Sequence, residues 1–377
     1  MERSLRRRYN MFTLNAYWLG VSFMWNSLHP IVLPVLLLEF AEETKNTAYG
    51  MLTFLGLLIA LVVQPLSGAL SDHTRHRWGR RRPWILLGTL LDVVLLLAMV
   101  TAKSFWALAA GYVLLQFSSN LAHGPAQGLI PDLVPEEKRG VASGVKGLFE
   151  MTGIICAALV AGRIVGGAIP RYLLVVLIIV GVLLLSMTVT LLGVHEPSSL
   201  LPRKVARHSL WGYFREVFAV DLRGQRDYAR LLISRFLVLL GVYAVQSFAL
   251  YYFRDALQFA SPARMMGDLM IAIGASVTLT VYPAGLLSER WGRKGLSLFA
   301  CAVAGVGMGA LAFTRSTTGL WVLGSLIGLS MGIFASVNWA WATDLVPVAE
   351  AGKYLGLSNL ATAGAAAAAR LFGPFMI

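Results

Sequence analysis

The sequence GALSDHTRHRWGRRRPW at residues 68–84 has a shorter counterpart, GLLSERWGRK, at residues 285–294. The phrase Asp-Leu-Val-Pro also occurs twice, beginning at Asp132 and at Asp344. The two members of each pair are separated by nearly the same number of residues, and the two phrases follow in the same order in each half. This pattern indicates an internal repeat of two halves with parallel topology.

The composition favours a membrane protein. The 377 residues are 57% hydrophobic and 14% charged, with a mean hydropathy of +0.69. An average soluble domain is about one quarter charged. Because this chain has fewer charges and more apolar residues, its composition excludes a disordered chain, a coiled coil and a disulfide scaffold. Cys156 and Cys301 lie in long apolar runs and predict neither a disulfide framework nor a metal site.

Apolar stretches long enough to cross a bilayer recur along the whole chain. A helix needs about 20 such residues to span the hydrocarbon core. The sequence predicts eleven spans, at residues 11–39, 48–70, 83–102, 105–130, 140–166, 171–194, 230–253, 264–287, 295–314, 318–342 and 353–376.

The spans divide into an N-terminal six-helix bundle at residues 1–194, a cytoplasmic central loop at 195–229 and a C-terminal bundle at 230–377. The C-terminal bundle has five spans, and the repeat predicts a sixth. We therefore expect that a twelfth span is missing because the sequence is a fragment, with a true eleven-span protein as the alternative.

The basic residues are distributed unevenly between the loops. With the N-terminus inside, 22 of the 32 Lys and Arg residues lie in inside loops and six in outside loops. This positive-inside pattern predicts a cytoplasmic N-terminus and explains the net charge of +13 without a nucleic-acid partner. Arg235 lies within a span but near its inner end, where its long side chain can reach the interface.

The second-half loop matches the signature of the major facilitator superfamily, G-x-x-x-(D/E)-R-x-G-R-(R/K). The first-half loop has a longer spacer between Asp72 and Gly79 and continues as Gly-Arg-Arg-Arg-Pro. In that form it resembles the sucrose-transporter branch of the glycoside–pentoside–hexuronide cation symporters. The resemblance covers essentially the whole chain, including DLVPEEKRG and SRFLVLLGVYAVQSFALYYFRD. It implies an all-α integral membrane fold of two six-helix bundles in parallel repeat, here with eleven spans present.

The resemblance also implies a cytoplasmic gate that is held shut by a charge network and opens as the halves rock. The two glycines allow close helix approach, and the acids can pair with arginines. In the alternative interpretation the arginines only obey the positive-inside rule. The predicted gate residues are Gly68, Asp72, Arg80, Arg81, Gly285, Glu289, Arg293 and Lys294.

Two spans carry polar residues at helical spacing, which places them on one narrow face. Polar groups are costly in lipid, so such a face is expected to border a bundle interior or a wet cavity. Span one has Asn15, Trp18, Ser22, Trp25 and His29, and span four has Tyr112, Gln116, Asn120, His123 and Gln127.

The superfamily cavity is lined by spans one, four, seven and ten. Span seven offers Tyr243 and Gln246, and span ten offers Asn338 and Trp341. Aromatic rings stack on the C–H face of a sugar, and amides bond its hydroxyls. The polar residues on these four spans therefore predict a sugar site, with helix packing as the alternative.

Glu150 lies about 15 Å into its span at 1.5 Å per residue, and Lys146 is one turn earlier on the same face. This pair is the candidate for proton coupling, and a permanent structural ion pair is the alternative. The melibiose branch binds sodium through acids on its second span, whereas residues 48–70 contain no carboxylate and only Gln64 as a strongly polar group deep in the span. A proton is therefore favoured over sodium, and no other cofactor is expected.

We therefore expect a sugar–proton symporter that binds a small polar solute and acts as a monomer in the cell membrane. The alternatives are an efflux carrier for drugs or other organic solutes, and a membrane sensor or fragment that does not transport. The sequence contains no P-loop, His-Glu-x-x-His or Gly-x-Ser-x-Gly motif, so an enzyme is not predicted.

Overall fold

The computed structural model describes residues 10–135, 138–165, 172–196, 224–345 and 351–373. Within these ranges the fold is all-α without strands, and each of the eleven predicted spans is a helix whose ends lie within four residues of the prediction. The helices are α1 (Met11–Phe40), α2 (Lys45–Asp72), α3 (Arg82–Val100), α4 (Phe105–Leu133), α5 (Arg139–Val165), α6 (Tyr172–Gly193), α7 (Arg226–Ala256), α8 (Pro262–Trp291), α9 (Arg293–Leu311), α10 (Thr317–Leu345) and α11 (Ala351–Phe372).

Nine helices in the described ranges are long and apolar enough to cross a bilayer, which leaves out α4 and α11. The polar stripe lowers the hydropathy of α4, and α11 is rich in weakly apolar alanine. Most of the predicted central loop lies outside the described residues. Its last four residues belong to α7, which begins at Arg226 rather than at residue 230.

The chain divides into two compact units. The first comprises Met1–Ala206 with Ser261–Arg264, and the second comprises Arg207–Ala260 with Met265–Ile377. In the first unit α1 packs on α5 and α6, while α4 packs on α2 and α3. In the second unit α7 packs on α10 and α11, and α9 packs on α10.

Small residues allow the closest helix contacts, as is common when helices pack in a membrane. A Cβ added to Gly124 of α4 would lie 2.2 Å from the carbonyl oxygen of Gln64 in α2. One added to Gly153 of α5 would lie 2.7 Å from the carbonyl oxygen of Leu19 in α1. Gly68 was also predicted to allow close helix approach, but a Cβ added to it would be 3.9 Å from the Gly124 backbone, an ordinary van der Waals distance.

A π-helical turn at Leu28–Val32 interrupts α1 and contains Pro30. Proline has no backbone N–H and cannot continue the α-helical hydrogen-bond ladder, so a local widening of the helix accommodates it. The Trp25 and His29 rings lie 4.7 Å apart across this change of pitch. Such turns are frequent at functional sites.

Candidate functional site

The first polar group joins three helices of the first unit. We name it the Trp18 cluster: Trp18 of α1, His123 of α4, and Lys146 and Glu150 of α5. The Trp18 and His123 rings meet edge to face with centroids 4.8 Å apart, and Lys146 Nζ lies 4.0 Å from the centre of the Trp18 ring. Lys146 Nζ is also 3.0 Å from Glu150 Oε1, so the ion pair expected from the spacing is present.

The Trp18 cluster combines a buried ring with an accessible ion pair. Trp18 is 3% exposed, whereas the side chains of Lys146 and Glu150 are 26% and 34% exposed. Ser22 of α1 donates a hydrogen bond of 2.8 Å to the backbone carbonyl of Glu150, which fixes this turn of α5 against α1. The ion pair is therefore more exposed than the Trp18 ring, and the backbone at Glu150 is bonded to α1.

A second group, the His29 cluster, contains Trp25, His29, Tyr112 and Gln116. His29 Nε2 and the Tyr112 hydroxyl are 2.9 Å apart, and Gln116 Nε2 donates to the same hydroxyl at 2.7 Å. Trp25 stacks on His29. The polar faces predicted on α1 and α4 therefore contact each other inside the first unit.

Other residues of the two stripes have different surroundings. Asn15 is fully buried and donates to the carbonyl oxygens of Met11 and Ala142, so it joins α1 to α5. Asn120 donates to the Gln116 carbonyl at 2.7 Å. Gln127 is exposed. Asn15 thus joins two helices, whereas the Asn120 amide bonds within its own helix.

A charge network lies where α2, α3 and α4 end or begin. Asp72 is 3.1 Å from Arg80 and 2.7 Å from Arg81. Asp132 at the end of α4 is 2.5 Å from Arg80 and 2.9 Å from Arg81. Arg81 also donates to the Gly68 carbonyl at 3.0 Å. The four predicted gate residues of the first half are therefore in one network, and Asp132 is an additional member.

Glu196, just after α6, completes this network. Its carboxylate accepts hydrogen bonds from the backbone N–H groups of Arg81 and Arg82, each at 3.0 Å. Burial raises the pKa of the Glu196 carboxyl, and the nearby charge of Asp132 adds to this, while the backbone donors partly oppose it. Sequence reasoning missed both acids. Asp132 belongs to the repeated Asp-Leu-Val-Pro phrase, whereas Glu196 has no signal in the sequence.

The second half has a smaller network. Arg293 Nε is 2.9 Å from Asp344, and its Nη1 donates to the Ser288 hydroxyl at 2.5 Å. Glu289 and Lys294 are exposed, and neither forms an ion pair with a residue in the described ranges. A Cβ on Gly285 would lie 3.1 Å from the Ser336 hydroxyl. Of the four residues predicted here, Arg293 alone pairs with an opposite charge from the described part of the chain, and its partner is Asp344 rather than Glu289.

A partly buried polar centre joins three helices of the second unit. Arg235 of α7 donates to Asn338 of α10 at 2.7 Å and to Thr362 of α11 at 3.0 Å. Its guanidinium also lies 5.6 Å from the centre of the Trp339 ring. The guanidinium is therefore directed to partners inside the unit through Nε and Nη1, and not to the interface as the sequence predicted.

A pocket of about 370 Å³ lies between α7, α9 and α10 of the second unit. It is lined by Asn338 and Trp341, with Arg230, Ser234, Lys294 and Ser297 among its polar groups. Tyr243 packs against the cluster around Leu239 and Phe334, and Gln246 is exposed. Of the four cavity residues predicted on spans seven and ten, Asn338 and Trp341 thus border this pocket. No group of three potential metal ligands occurs among the described residues.

The chain matches the Major Facilitator Superfamily over residues 11–369. The chain belongs to the Major Facilitator Superfamily. Membership places it among transporters rather than enzymes. Its helices, its repeated loop networks and its polar clusters are therefore features of a Major Facilitator Superfamily protein.

Relatives within the superfamily include sugar carriers. The chain is 31% identical over 172 residues to sucrose transport protein SUT1 of Oryza sativa subsp. japonica, covering 39% of this chain and 29% of that protein. It is 32% identical over 124 residues to the membrane-associated transporter protein of Homo sapiens, covering 29% of this chain and 23% of that protein. These alignments thus span less than a third of either relative. They support the resemblance to sucrose transporters.

Solved superfamily structures share the fold over nearly the whole chain. A bacterial homologue of the human lysosomal transporter Spinster has a TM-score of 0.74 at 16% identity, covering 97% of this chain and 80% of that one. The D-xylose–proton symporter has a TM-score of 0.70 at 18% identity, covering 97% and 90%. At this identity the likeness concerns the fold.

Proposed function

We propose that this protein transports a small polar solute, a sugar or glycoside, together with a proton by alternating access. Membership in the Major Facilitator Superfamily supports a carrier. The names of two similar proteins, a sucrose transport protein and a D-xylose–proton symporter, support a sugar and a proton.

The Trp18 cluster is the observation that carries this proposal. Lys146 lies between the Glu150 carboxylate and the face of Trp18, so its ammonium has two alternative attractions. When Glu150 takes up a proton, the ion pair is lost, while the contact of Lys146 with the Trp18 ring persists. Proton binding therefore changes the charge and the hydrogen-bonding capacity of a polar patch without unfolding it.

The neighbouring His29 cluster suits a sugar. Trp25 offers a ring face, and Tyr112, His29 and Gln116 offer hydroxyl, imidazole and amide groups. Aromatic stacking together with directional hydrogen bonds distinguishes a sugar from an apolar drug. In the second unit Asn338 and Trp341 repeat this combination at the border of a pocket.

We further propose a monomer in the cell membrane with its N-terminus in the cytoplasm. The distribution of basic residues between the loops supports this orientation. A proton is the proposed coupling ion rather than sodium, because the membrane part of α2 has no carboxylate, and no other cofactor is proposed.

The test is Glu150→Gln in proteoliposomes with radiolabelled sucrose. We expect proton-driven accumulation to be lost, because glutamine cannot cycle a proton, while counterflow exchange persists. Glu39→Gln is the matched control: it changes a carboxylate near the end of α1 that accepts a hydrogen bond from Tyr172, outside the Trp18 cluster. Normal accumulation by Glu150→Gln would remove this residue from the mechanism. No uptake of labelled mono- or disaccharides by the unmodified protein would reject the sugar.

A further inference from the structure

An open groove lies on the first unit where the loop between α2 and α3 meets the beginning of α3. It encloses about 420 Å³. Its apolar lining comes from Pro83, Leu86, Leu87 and Leu90 of α3. Leu87 and Leu90 are 51% and 47% exposed, although they belong to a helix that is apolar enough to span a bilayer. This wall of the groove therefore suits a hydrocarbon chain.

The other end of the groove is aromatic and basic. His76, Arg77 and Trp78 line it, and Arg75 is exposed beside them. No hydrogen bond or ion pair to another residue of the described chain occupies the guanidinium of Arg75 or Arg77. The guanidinium of Arg77 thus lines one end of an apolar channel, and a second exposed arginine, Arg75, precedes it by two residues in the loop.

Trp78 is held at the boundary between the two ends. Its backbone N–H donates to His76 Nδ1 at 3.1 Å, and the two rings meet edge to face. The Arg82 guanidinium lies 5.9 Å from the centre of the Trp78 ring. The ring itself is 52% exposed. Tryptophan in this position is typical of the zone where lipid headgroups meet acyl chains.

The basic end depends on residues that the second loop lacks. Five residues separate Asp72 from Trp78, whereas only Arg290 separates Glu289 from Trp291. The four extra residues, 73–76, include Arg75 and His76, while Arg77 corresponds in position to Arg290. Neither Arg75 nor Arg77 contributes to the network of Arg80 and Arg81 with Asp72 and Asp132. The gate network therefore does not explain the insertion.

We propose that this groove binds one anionic phospholipid of the surrounding bilayer. An acyl chain lies along Leu86, Leu87 and Leu90, and the phosphate of the headgroup is bound by Arg77 and Arg75. Arginine suits a phosphate because its planar guanidinium donates two parallel hydrogen bonds. The charge of the rim selects an anionic lipid over a neutral one, and the apolar wall selects a lipid over a soluble phosphate.

The test is native mass spectrometry of the purified, delipidated full chain with added phosphatidylglycerol or phosphatidylcholine of the same acyl chains. We expect one phosphatidylglycerol to be retained preferentially. Arg77→Gln should reduce the retained fraction at least about threefold, and Arg75→Gln with Arg77→Gln should abolish the preference. Arg290→Gln is the matched control, since it also removes an exposed arginine directly before the tryptophan of a Trp-Gly-Arg phrase.

Three results would overturn the proposal. One is equal retention of the two lipids by the unmodified chain. Another is an equal loss of retained phosphatidylglycerol in Arg77→Gln and Arg290→Gln, which would indicate general charge attraction. The third is displacement of phosphatidylglycerol by glycerol 3-phosphate at equal concentration, because a soluble headgroup would then suffice. Failure of sugar transport would leave lipid binding intact, so the two proposals are tested separately.

Discussion

Gly79 and Gly292 occupy the same place in the two Trp-Gly-Arg phrases, and both have left-handed backbone angles, with φ of +99° and +83°. A residue with a Cβ pays roughly 1–2 kcal/mol in this conformation. In each loop this turn leads into the next helix and directs an arginine at an aspartate: Arg81 at Asp132 in the first half and Arg293 at Asp344 in the second. The glycines are therefore needed for the geometry of both loops.

The two positions differ in their surroundings, which gives a paired prediction. A Cβ on Gly79 would lie 2.3 Å from the Glu196 Cβ, whereas one on Gly292 would meet nothing within 4 Å. Gly292→Ala should therefore lower the free energy of unfolding by roughly 1–2 kcal/mol through backbone strain alone. Gly79→Ala should cost at least about 1 kcal/mol more, because Glu196 must shift and lose hydrogen bonds. Apparent unfolding temperatures in detergent at one heating rate check this, and equal losses would contradict it.

At the scale of elements, α3 depends on a carboxylate that comes from another helix. Arg81, at the N-cap of α3, provides no side-chain cap of its own. The first N–H groups of a helix need acceptors, and Glu196, just after α6, accepts from those of Arg81 and Arg82. This contact ties α3 to α6 and positions the arginines that follow Gly79.

The raised pKa of Glu196 predicts the pH dependence of this connection. The folded state binds the proton more tightly than the unfolded chain, so the stabilising contribution of protonated Glu196 is present below its ordinary pKa of about 4.3 and is lost as the pH rises through the raised value. Glutamine resembles the protonated acid. The stability of the unmodified protein relative to Glu196→Gln should therefore fall as the pH rises from about 4 to 7.

Unfolding temperatures in detergent over this pH range check the prediction. Glu43→Gln, which changes an exposed carboxyl in the loop before α2, is the control. The assignment would be contradicted if the unfolding temperature of the unmodified chain rose relative to that of Glu196→Gln as the pH increased.

At the scale of the whole molecule, the repeat is also a repeat of contacts. In the first half Arg80 binds Asp132 and Arg81 binds Ser71. In the second half Arg293 binds both of the corresponding residues, Asp344 and Ser288. The acid directly after this serine, Asp72 or Glu289, differs more between the two halves. Asp72 pairs with two arginines, whereas Glu289 is exposed. The first-half network therefore carries more of the proposed gating energy.

This asymmetry predicts different effects on transport. Asp72→Asn should slow sugar uptake about three- to tenfold, which corresponds to roughly 1 kcal/mol, and leave the substrate affinity nearly unchanged. Glu289→Gln should have the smaller effect. Initial rates and half-saturation concentrations in proteoliposomes separate these quantities. A change in affinity alone, or a larger effect of Glu289→Gln, would argue against the gating role of Asp72.

The sequence predicted best those features that depend on regular spacing along one helix. Helix ends followed from apolar length, and the pair of Lys146 and Glu150 followed from i, i+4 spacing. Contacts between distant segments were harder to predict. Glu289 was expected in the second network because it aligns with Asp72, and the structure instead brings Asp344 to Arg293. Alignment of positions does not fix which acid a flexible arginine reaches.

The hydrophobic pattern and the internal repeat were enough to establish a helical membrane protein of two related halves, because a bilayer forces every span to satisfy its own backbone. The meeting of Trp18 with His123 and Lys146, and the capping of α3 by Glu196, came only from the folded chain. These contacts join residues on different helices, and their distances depend on how the helices pack. Local spacing carries no information about that packing.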